Sequence, residues 1–257
     1  MKINTIIPMS ILAVALGMPL AHAETAMTAS QKTEVQHLIH DYLVENPEVL
    51  VEASQALQKK QQDQMQTQAK SAIAQYGSAL VSGTLTVAGN PKGDVTLVEF
   101  FDYQCGHCVK MKSVVNELIK KNANLRVIFK EFPIFGKESE MASRVAIVAA
   151  MQGKYMPLQS ALFKADKRLD EQQIMAIASQ VGLDMTALKK DMNSKKVSDI
   201  LEESRKLAES IHLMGTPAFV VLSTPNGQYK PGAESSFIPG AASEETLQEL
   251  INKAAKK

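Results

Sequence analysis

The sequence contains no tryptophan, only two cysteines and few aromatic residues, which make up 5% of its 257 residues. Two cysteines cannot build the disulfide framework of a small secreted protein, nor complete a four-ligand structural zinc site by themselves. Neither sign of charge is in excess, because 28 Lys and Arg residues face 27 Asp and Glu residues. The chain therefore lacks the basic surplus that holds a nucleic-acid backbone, and we expect no nucleic-acid partner. It is long enough to bury one substantial core.

The N-terminus has the pattern of a cleaved secretory signal peptide. Lys2 supplies the positive start, an apolar run covers positions 6–20, and Ala-His-Ala at 21–23 supplies the small residues of a cleavage site. The run is short for a membrane span and contains Pro8 and Pro19, which argues against a membrane anchor. We therefore expect an exported protein from which the signal peptide has been removed.

The two cysteines, Cys105 and Cys108, form a C-x-x-C pair. In an oxidising compartment, such a pair is more often a disulfide than a metal site. A bridge across two intervening residues constrains little of the unfolded chain, so its value for stability is small. We interpret the pair as a disulfide that is made and broken during function, and we expect no bound metal.

Hydrophobic periodicity separates an N-terminal helical segment, residues 24–78, from the rest of the mature chain. It predicts two helices interrupted at Asn46-Pro47, because proline pushes the preceding residue out of the α region. Ser30 is the predicted N-cap of the first helix, and Gly77 is the predicted end of the second. The segment has too little apolar mass for its own core, so it must pack on the main domain or pair with a second copy. Its apolar residues at helical spacing include Val35, Leu38, Ile39, Tyr42, Leu43, Val49, Leu50, Ala53 and Leu57.

Residues 79–257 have the pattern of an α/β domain. A strand, a helix and a second strand within about 40 residues predict a right-handed βαβ unit. A helical region at 138–212 divides the predicted strands into two groups. After this region, Asn226-Gly227 predicts a hairpin turn. Ser243 is the predicted cap of a final helix. The predicted elements before and after the helical region are strand 85–87, strand 95–101, helix 108–121, strand 125–131, strand 217–222 and strand 228–230.

Cys105 falls where the predicted buried strand ends and the next helix begins. There, free backbone N–H groups and the positive end of the helix dipole favour a thiolate, and a protonated His107 adds positive charge. The spacing places Cys108 one turn away, within reach of a disulfide. We therefore predict that an exposed Cys105 attacks and that a more buried Cys108 resolves the mixed disulfide. An ordinary solvated histidine is the alternative interpretation of His107.

These features resemble the DsbA family of thiol–disulfide oxidoreductases, which have a thioredoxin fold. The resemblance rests on Cys-Gly-His-Cys at 105–108, the helical insertion and a later Gly-Thr-Pro string, and it covers about residues 84–257. It implies that the bond before Pro217 is cis and that Thr216, Pro217 and Gly106 contact the substrate peptide. From the residues alone, a Thr-Pro pair before a strand is equally consistent with an ordinary turn.

Glu99 lies six residues before Cys105 and resembles the family's acidic residue beneath the active site. A buried carboxyl has a raised pKa and can accept or relay the proton of the resolving thiol. The alternative is a carboxylate paired with Lys130 on the neighbouring strand, and the resemblance allows both roles together.

Two features depart from the monomeric oxidases of the family. Gly106-His107 is the dipeptide of eukaryotic protein disulfide isomerase, and this dipeptide tunes the redox poise. The segment 41–50 resembles the N-terminal extension of dimeric or trimeric members. We therefore expect a homodimer held by a helical arm, residues 24–78. The predicted function is a periplasmic oxidoreductase that isomerises or introduces disulfide bonds in exported client proteins. It would need no cofactor and would be recycled by a membrane redox partner.

Two alternatives remain open from the sequence. A dedicated disulfide oxidase, recycled by a membrane quinone reductase, would use the same dithiol. A non-enzymatic periplasmic protein could instead bind Cu(I) through the same soft thiolates. The 13 methionines fit the copper interpretation, but several of them lie at core spacing, where methionine is an ordinary packing residue.

Overall fold

A computed structural model describes residues 27–83, 85–165 and 168–256. The predicted signal peptide lies outside the described residues. The chain divides into two compact units, residues 1–58 and 59–257. Within the described ranges, no helix is both long and apolar enough to cross a lipid bilayer.

The N-terminal unit contains helix α1, Ala29–Glu45, and the first part of helix α2, Glu48–Leu80. The two helices are separated at Asn46-Pro47, as predicted. The predicted N-cap Ser30 is wrong, because Thr28 caps α1 in a capping box with Gln31. A capping box needs Glu or Gln three residues after the cap, and Gln31 stands in that position relative to Thr28.

The C-terminal unit contains a five-stranded sheet in the order β1-β3-β2-β4-β5. Strands β2 and β3 run parallel, which confirms the predicted βαβ unit, and the other neighbouring pairs are antiparallel. The first strand begins two residues later than predicted. The strands are β1 Val87–Gly89, β2 Val95–Phe101, β3 Leu125–Glu131, β4 Ala218–Ser223 and β5 Ser235–Ile238.

Helices cover both faces of this sheet. Helix α3 connects β2 to β3, and helices α4 to α8 form the insertion predicted between β3 and β4. Every residue of β2 is buried, as expected for a strand covered on both faces. The helices are α3 Gly106–Lys121, α4 Lys137–Met151, α5 Tyr155–Phe163, α6 Glu171–Gln180, α7 Met185–Asp191, α8 Lys195–Ser210 and α9 Glu244–Ala255, which is capped by Ser243 as predicted.

Gly77 does not end helix α2, contrary to the prediction. It lies under the ring of Tyr229, and a Cβ at this position would stand 2.2 Å from Tyr229 Cε1. The helix continues to Leu80 because Ala69, Ile73 and Leu80 are buried against the sheet. The glycine therefore permits close packing, and the C-terminal part of α2 belongs to the core of the second unit.

The hairpin predicted at Asn226-Gly227 is also wrong. The backbone N–H of Asn226 donates to Asp94 Oδ1 at 2.8 Å, and Arg126 Nη1 donates to the Gly227 carbonyl at 3.1 Å. These contacts hold a short 3-10 turn against the loop before β2 and against the start of β3. The chain therefore returns to the sheet only at β5, and residues 228–230 form no strand.

Candidate active site

Strand β2 and helix α3 position the two cysteines. The buried strand ends at Phe101, and Cys105 is the N-cap residue of α3. The backbone N–H of Cys105 donates to the Asp102 carbonyl at 3.2 Å, which closes the turn between strand and helix. The Cys105 side chain therefore stands at the positive end of the α3 dipole.

Both cysteines are free thiols, and both are largely buried. Cys105 is 5% exposed and Cys108 is fully buried, so the expectation of an exposed Cys105 is wrong in degree. The cause is the loop before β4, whose Thr216 carbonyl accepts a hydrogen bond from Cys105 Sγ at 3.3 Å. Cys105 nevertheless remains the more accessible of the two sulfurs.

Cys108 lies one turn into α3 and faces the core. Burial raises the pKa of the Cys108 thiol well above its usual range, and a hydrogen bond with the Asp102 backbone offsets this only in part. Cys108 is therefore a protonated thiol at neutral pH. It needs a proton acceptor before it can attack a disulfide.

The loop before β4 brings the predicted substrate-binding residues to Cys105. The Thr216–Pro217 peptide bond is cis, as the resemblance implies. Pro217 is buried, whereas Gly106 and His107 are exposed at the start of α3. The open surface at Gly106 leaves the backbone accessible to a peptide, since a Cβ there would meet no atom within 4 Å. The loop before β4 and the start of α3 thus place Thr216, Pro217, Gly106 and His107 near the Cys105 sulfur.

A cavity of about 440 Å³ adjoins this site, and sequence reasoning missed it. It opens between α3, the loop after β3 and the end of α5. Two of its apolar side chains, Val109 and Phe135, are 43% and 45% exposed. The lining residues are Tyr103, Gln104, Gly106, Val109, Phe135, Leu162, Phe163, Ala165, Arg168 and Leu169.

Glu99 lies in the middle of the buried strand β2, and its side chain is 3% exposed. Burial raises its pKa to about 8, while the positive charge of Lys112 acts in the opposite direction. The alternative interpretation, in which the Glu99 carboxylate pairs with Lys130, is wrong. The parallel register places Glu99 beside Phe129 and Phe100 beside Lys130, so the Lys130 side chain points to the opposite face of the sheet. There its Nζ donates to the Ser82 carbonyl at 3.3 Å.

Asp102, which the sequence analysis did not single out, fixes the backbone before the cysteines. Its buried carboxylate accepts hydrogen bonds from the backbone N–H groups of Gln104, at 2.7 Å, and Ile134, at 2.7 Å. It also accepts from the N–H of Phe135 at 3.1 Å and from Ser139 Oγ at 2.7 Å. One carboxylate therefore holds the start of α3 and the Phe135 loop together. Its position directly after a buried strand is the only sequence signal that points to it.

Glu131, at the end of β3, is a second buried carboxyl near the site. Its Oε1 accepts hydrogen bonds from the hydroxyl groups of Tyr103, at 3.1 Å, and Tyr155, at 2.8 Å. Burial raises the pKa of Glu131 to about 8, and the tyrosine hydrogen bonds only partly oppose this. Glu131 is therefore mainly neutral at pH 7.

Replacing Glu131 with Gln should flatten the pH dependence of stability. Because the folded protein holds the Glu131 proton more tightly than the unfolded chain, its contribution is greatest below the ordinary pKa of 4.5 and falls as the pH rises towards about 8. Between acidic and mildly alkaline pH, the free energy of unfolding of the variant should therefore fall less than that of the parent. We expect the difference to be on the order of a few kcal/mol, since one pKa unit corresponds to about 1.4 kcal/mol. Urea unfolding of the reduced protein at acidic and at mildly alkaline pH measures this. The exposed Glu249→Gln variant is the matched control, and an unchanged slope in Glu131→Gln would contradict the assignment.

A parallel β2–α3–β3 unit with a dithiol at the start of α3 and a cis proline facing it defines a thiol–disulfide oxidoreductase of the thioredoxin fold. The chain belongs to the DSBA-like thioredoxin domain family, whose model matches residues 96–252, more than half of the sequence. Residues 31–64 match a second model, described as the copper resistance protein ScsC N-terminal domain. The predicted family, the thioredoxin fold and its helical insertion are confirmed.

Solved structures and a curated relative support this assignment. BcfH from Salmonella enterica Typhimurium is 35% identical with a TM-score of 0.72, covering 88% of this chain and 96% of that chain. A thioredoxin-like oxidoreductase from Silicibacter pomeroyi DSS-3 is also 35% identical, with a TM-score of 0.63 and coverage of 70% and 98%. The thiol:disulfide interchange protein DsbA from Burkholderia cepacia is 29% identical over 175 residues, 65% of this chain and 79% of that protein.

The chain also matches part of a much longer protein. It is 23% identical over 137 residues to the Na(+)/H(+) antiporter NhaA 3 of Salinispora tropica, and it spans 21% of the antiporter's length. Only a segment of that protein is similar to this chain.

Proposed function

We propose that this protein is a periplasmic thiol–disulfide oxidoreductase that isomerises, and also introduces, disulfide bonds in exported proteins. The observation that carries the proposal is the dithiol itself: Cys105 stands at the N-terminus of α3 beside the Thr216 carbonyl, and Cys108 is buried one turn behind it. The signal-peptide pattern of residues 1–23 supports export to the periplasm. The two sulfurs supply the redox chemistry, so the proposed reaction uses no cofactor.

In isomerisation, the Cys105 thiolate attacks one sulfur of an incorrect client disulfide. A mixed disulfide forms, and the other client cysteine leaves as a thiolate. A client thiolate then attacks the client sulfur of the mixed disulfide, which forms a new client bridge and restores the Cys105 thiolate. No net electrons are transferred in this cycle.

Oxidation uses the Cys105–Cys108 disulfide form. A client thiolate attacks Cys105 Sγ, Cys108 leaves, and a second client thiolate completes the client bridge, so two electrons pass from the client to the dithiol. If isomerisation stalls, the ionised form of Glu99 takes the Cys108 proton, the Cys108 thiolate attacks Cys105 Sγ, and the client leaves with both of its cysteines reduced. A membrane redox partner would then restore the dithiol or the disulfide.

The surface around Cys105 fits an unfolded client segment. A peptide would lie across Gly106 and His107 and would pair with the backbone at Thr216 and Pro217. The adjoining cavity, with Val109 and Phe135 at its edge, offers apolar contact to client side chains next to the reacting cysteine. Misfolded clients expose such side chains, so this surface favours them over folded proteins.

Helix α1 supports a homodimer. It contains no buried residue, and most of its large apolar side chains are exposed in the single chain. We propose that residues 24–78 form an oligomerisation arm whose pairing surface lies on α1 and the start of α2. Pairing would place two dithiols in one assembly, which suits repeated exchange on one client. The exposed apolar residues are Val35, Leu38, Ile39, Tyr42, Val44, Leu50, Val51 and Leu57.

Two RNase assays and one redox measurement test the proposed function. The mature protein should restore activity to scrambled RNase, and its disulfide form should oxidise reduced RNase. Alkylation of periplasmic extracts should show a mixture of dithiol and disulfide forms. A fully oxidised resting state with no activity on scrambled RNase would identify a dedicated oxidase instead. Absence of both activities would overturn the proposal.

The match of residues 31–64 to a model named for copper resistance gives a reason to test Cu(I) binding. Two soft thiolates at 105 and 108 are suitable Cu(I) ligands. Within the described residues, no group of three or more His, Cys, Asp or Glu side chains is arranged to hold a metal ion. Scrambled-RNase activity that is unchanged by a Cu(I) chelator supports the oxidoreductase, whereas no activity with or without the chelator, together with stoichiometric Cu(I) binding, supports the copper protein.

A further inference from the structure

We infer that Arg168 is a specificity-determining residue, which makes the protein prefer client segments that carry an acidic side chain close to the reacting cysteine. The inference rests on the proposed function, because it names the clients that the active site takes up most readily. It concerns the cavity beside Cys105. Among the described residues that line this cavity, Arg168 is the one with a charge.

The innermost lining of the cavity is a fixed group of aromatic rings. The centroid of the Tyr103 ring lies 5.0 Å from that of Phe163 and 5.1 Å from that of Phe101. All three rings are buried, and the Tyr103 hydroxyl donates to Glu131 Oε1 at 3.1 Å. Packing holds one end of the Tyr103 ring and a hydrogen bond holds the other. The apolar surface of the cavity is therefore formed before a client binds, as is usual for ligand-binding clefts.

A side-chain clamp fixes the segment that carries Arg168 relative to the reactive sulfur. Gln104, the neighbour of Cys105, donates from its Nε2 to the Leu169 carbonyl at 2.8 Å. Leu169 is buried and directly follows Arg168 in the chain. The backbone on both sides of this hydrogen bond lines the cavity. Arg168 is thus held at a set place on the cavity wall, across from the start of α3.

The Arg168 side chain is available to a client. It is exposed, and among the residues that the structure describes no acidic side chain forms an ion pair with it. Asp170, two residues further on, is already engaged as the N-cap of α6, where it accepts from the Gln173 backbone N–H at 2.8 Å. A guanidinium group is always charged, and its parallel N–H groups match the two oxygens of a carboxylate.

These features together describe the occupant. An apolar wall of about 440 Å³ with a single cation suits a segment that offers an apolar side chain and a carboxylate. Gly106 lines the same cavity and directly follows Cys105, so the occupying side chains are those next to the client cysteine. A client lysine in this place would bring two positive charges together, and such repulsion excludes partners as effectively as attraction selects them.

The test compares the mature parent protein, Arg168→Gln, Arg168→Glu and the control Lys164→Glu, all in the disulfide form. Each protein oxidises two-cysteine peptides with a phenylalanine beside one cysteine and Glu, Gln or Lys next to that phenylalanine, placed before or after the cysteine. Each rate is divided by the rate of the same peptide with neutral hydroxyethyl disulfide, because a nearby charge also shifts the pKa of the peptide thiol.

We expect the parent to prefer the Glu peptide over the Lys peptide about threefold, the effect of an exposed ion pair. Arg168→Gln should lose this preference, and Arg168→Glu should reverse it. Rates with hydroxyethyl disulfide contain no protein contact, so the reversal cannot come from the peptides alone. Equal normalised rates for the Glu and Lys peptides in the parent would overturn the inference.

Lys164→Glu separates a contact in the cavity from general attraction between opposite charges. Lys164 is exposed at the end of α5 and does not line the cavity. This control should keep the preference of the parent, and a loss as large as that of Arg168→Glu would contradict the assignment to Arg168. A parent disulfide form that oxidises none of the peptides would instead overturn the proposed function.

Discussion

Replacing Cys105 with Ser is expected to abolish every redox activity of the protein, whereas replacing Cys108 with Ser should trap it on its clients. Cys105 is the sulfur at the positive end of α3 and the more accessible one, so it forms the bond to the client. Without Cys108, a stalled mixed disulfide has no internal nucleophile to release it. Cys105→Ser should therefore form no mixed disulfide with clients, whereas Cys108→Ser should accumulate mixed disulfides.

Non-reducing gels of periplasmic extracts measure this difference directly. Cys108→Ser should give high-mass adducts that disappear with reductant, and Cys105→Ser should give none. In the reduced parent protein, an alkylating reagent at about pH 5 should modify Cys105 first, because burial keeps Cys108 protonated. Rapid modification of Cys108 under these conditions, or adducts formed by Cys105→Ser, would reverse the two assignments.

Deleting residues 24–58 should convert the protein into a monomer that keeps its dithiol chemistry but loses isomerase activity. The deletion removes α1 and the exposed apolar start of α2. It stops before Ala69, Ala72 and Ile73, because these residues are part of the core under the sheet. A deletion that continues to residue 77 would open that core and would confuse loss of the arm with loss of stability.

Light scattering of the mature protein and the deletion variant gives the mass of each directly. A double substitution, Leu38→Asp with Ile39→Asp, should also yield the mass of one chain, because two charges then lie on the pairing surface. Gln36→Asp on the same helix is the matched control and should leave the assembly intact. A parent protein with the mass of one chain, or a deletion variant that isomerises as well as the parent, would contradict the proposed arm.

The sequence by itself determined the elements whose signals are local. The continuous apolar run at 95–101, the break at Asn46-Pro47 and the cap at Ser243 each depend on residues close together in the chain. The placement of Cys105 at the start of a helix is of the same kind, because the strand pattern stops just before it. The dithiol and its chemistry were therefore predictable without coordinates.

The tertiary structure alone decided which distant groups meet. Strand register decides that Glu99 and Lys130 lie on opposite faces of the sheet, because a shift of one residue turns a side chain to the other face. Gly77 lies inside a helix instead of ending it because that helix packs against the sheet, where Tyr229, far along the chain, covers the glycine. The burial of Cys105 similarly comes from the Thr216 loop, 111 residues away. Such contacts leave no periodic trace in the sequence, since each is fixed by packing between segments that lie far apart in the chain.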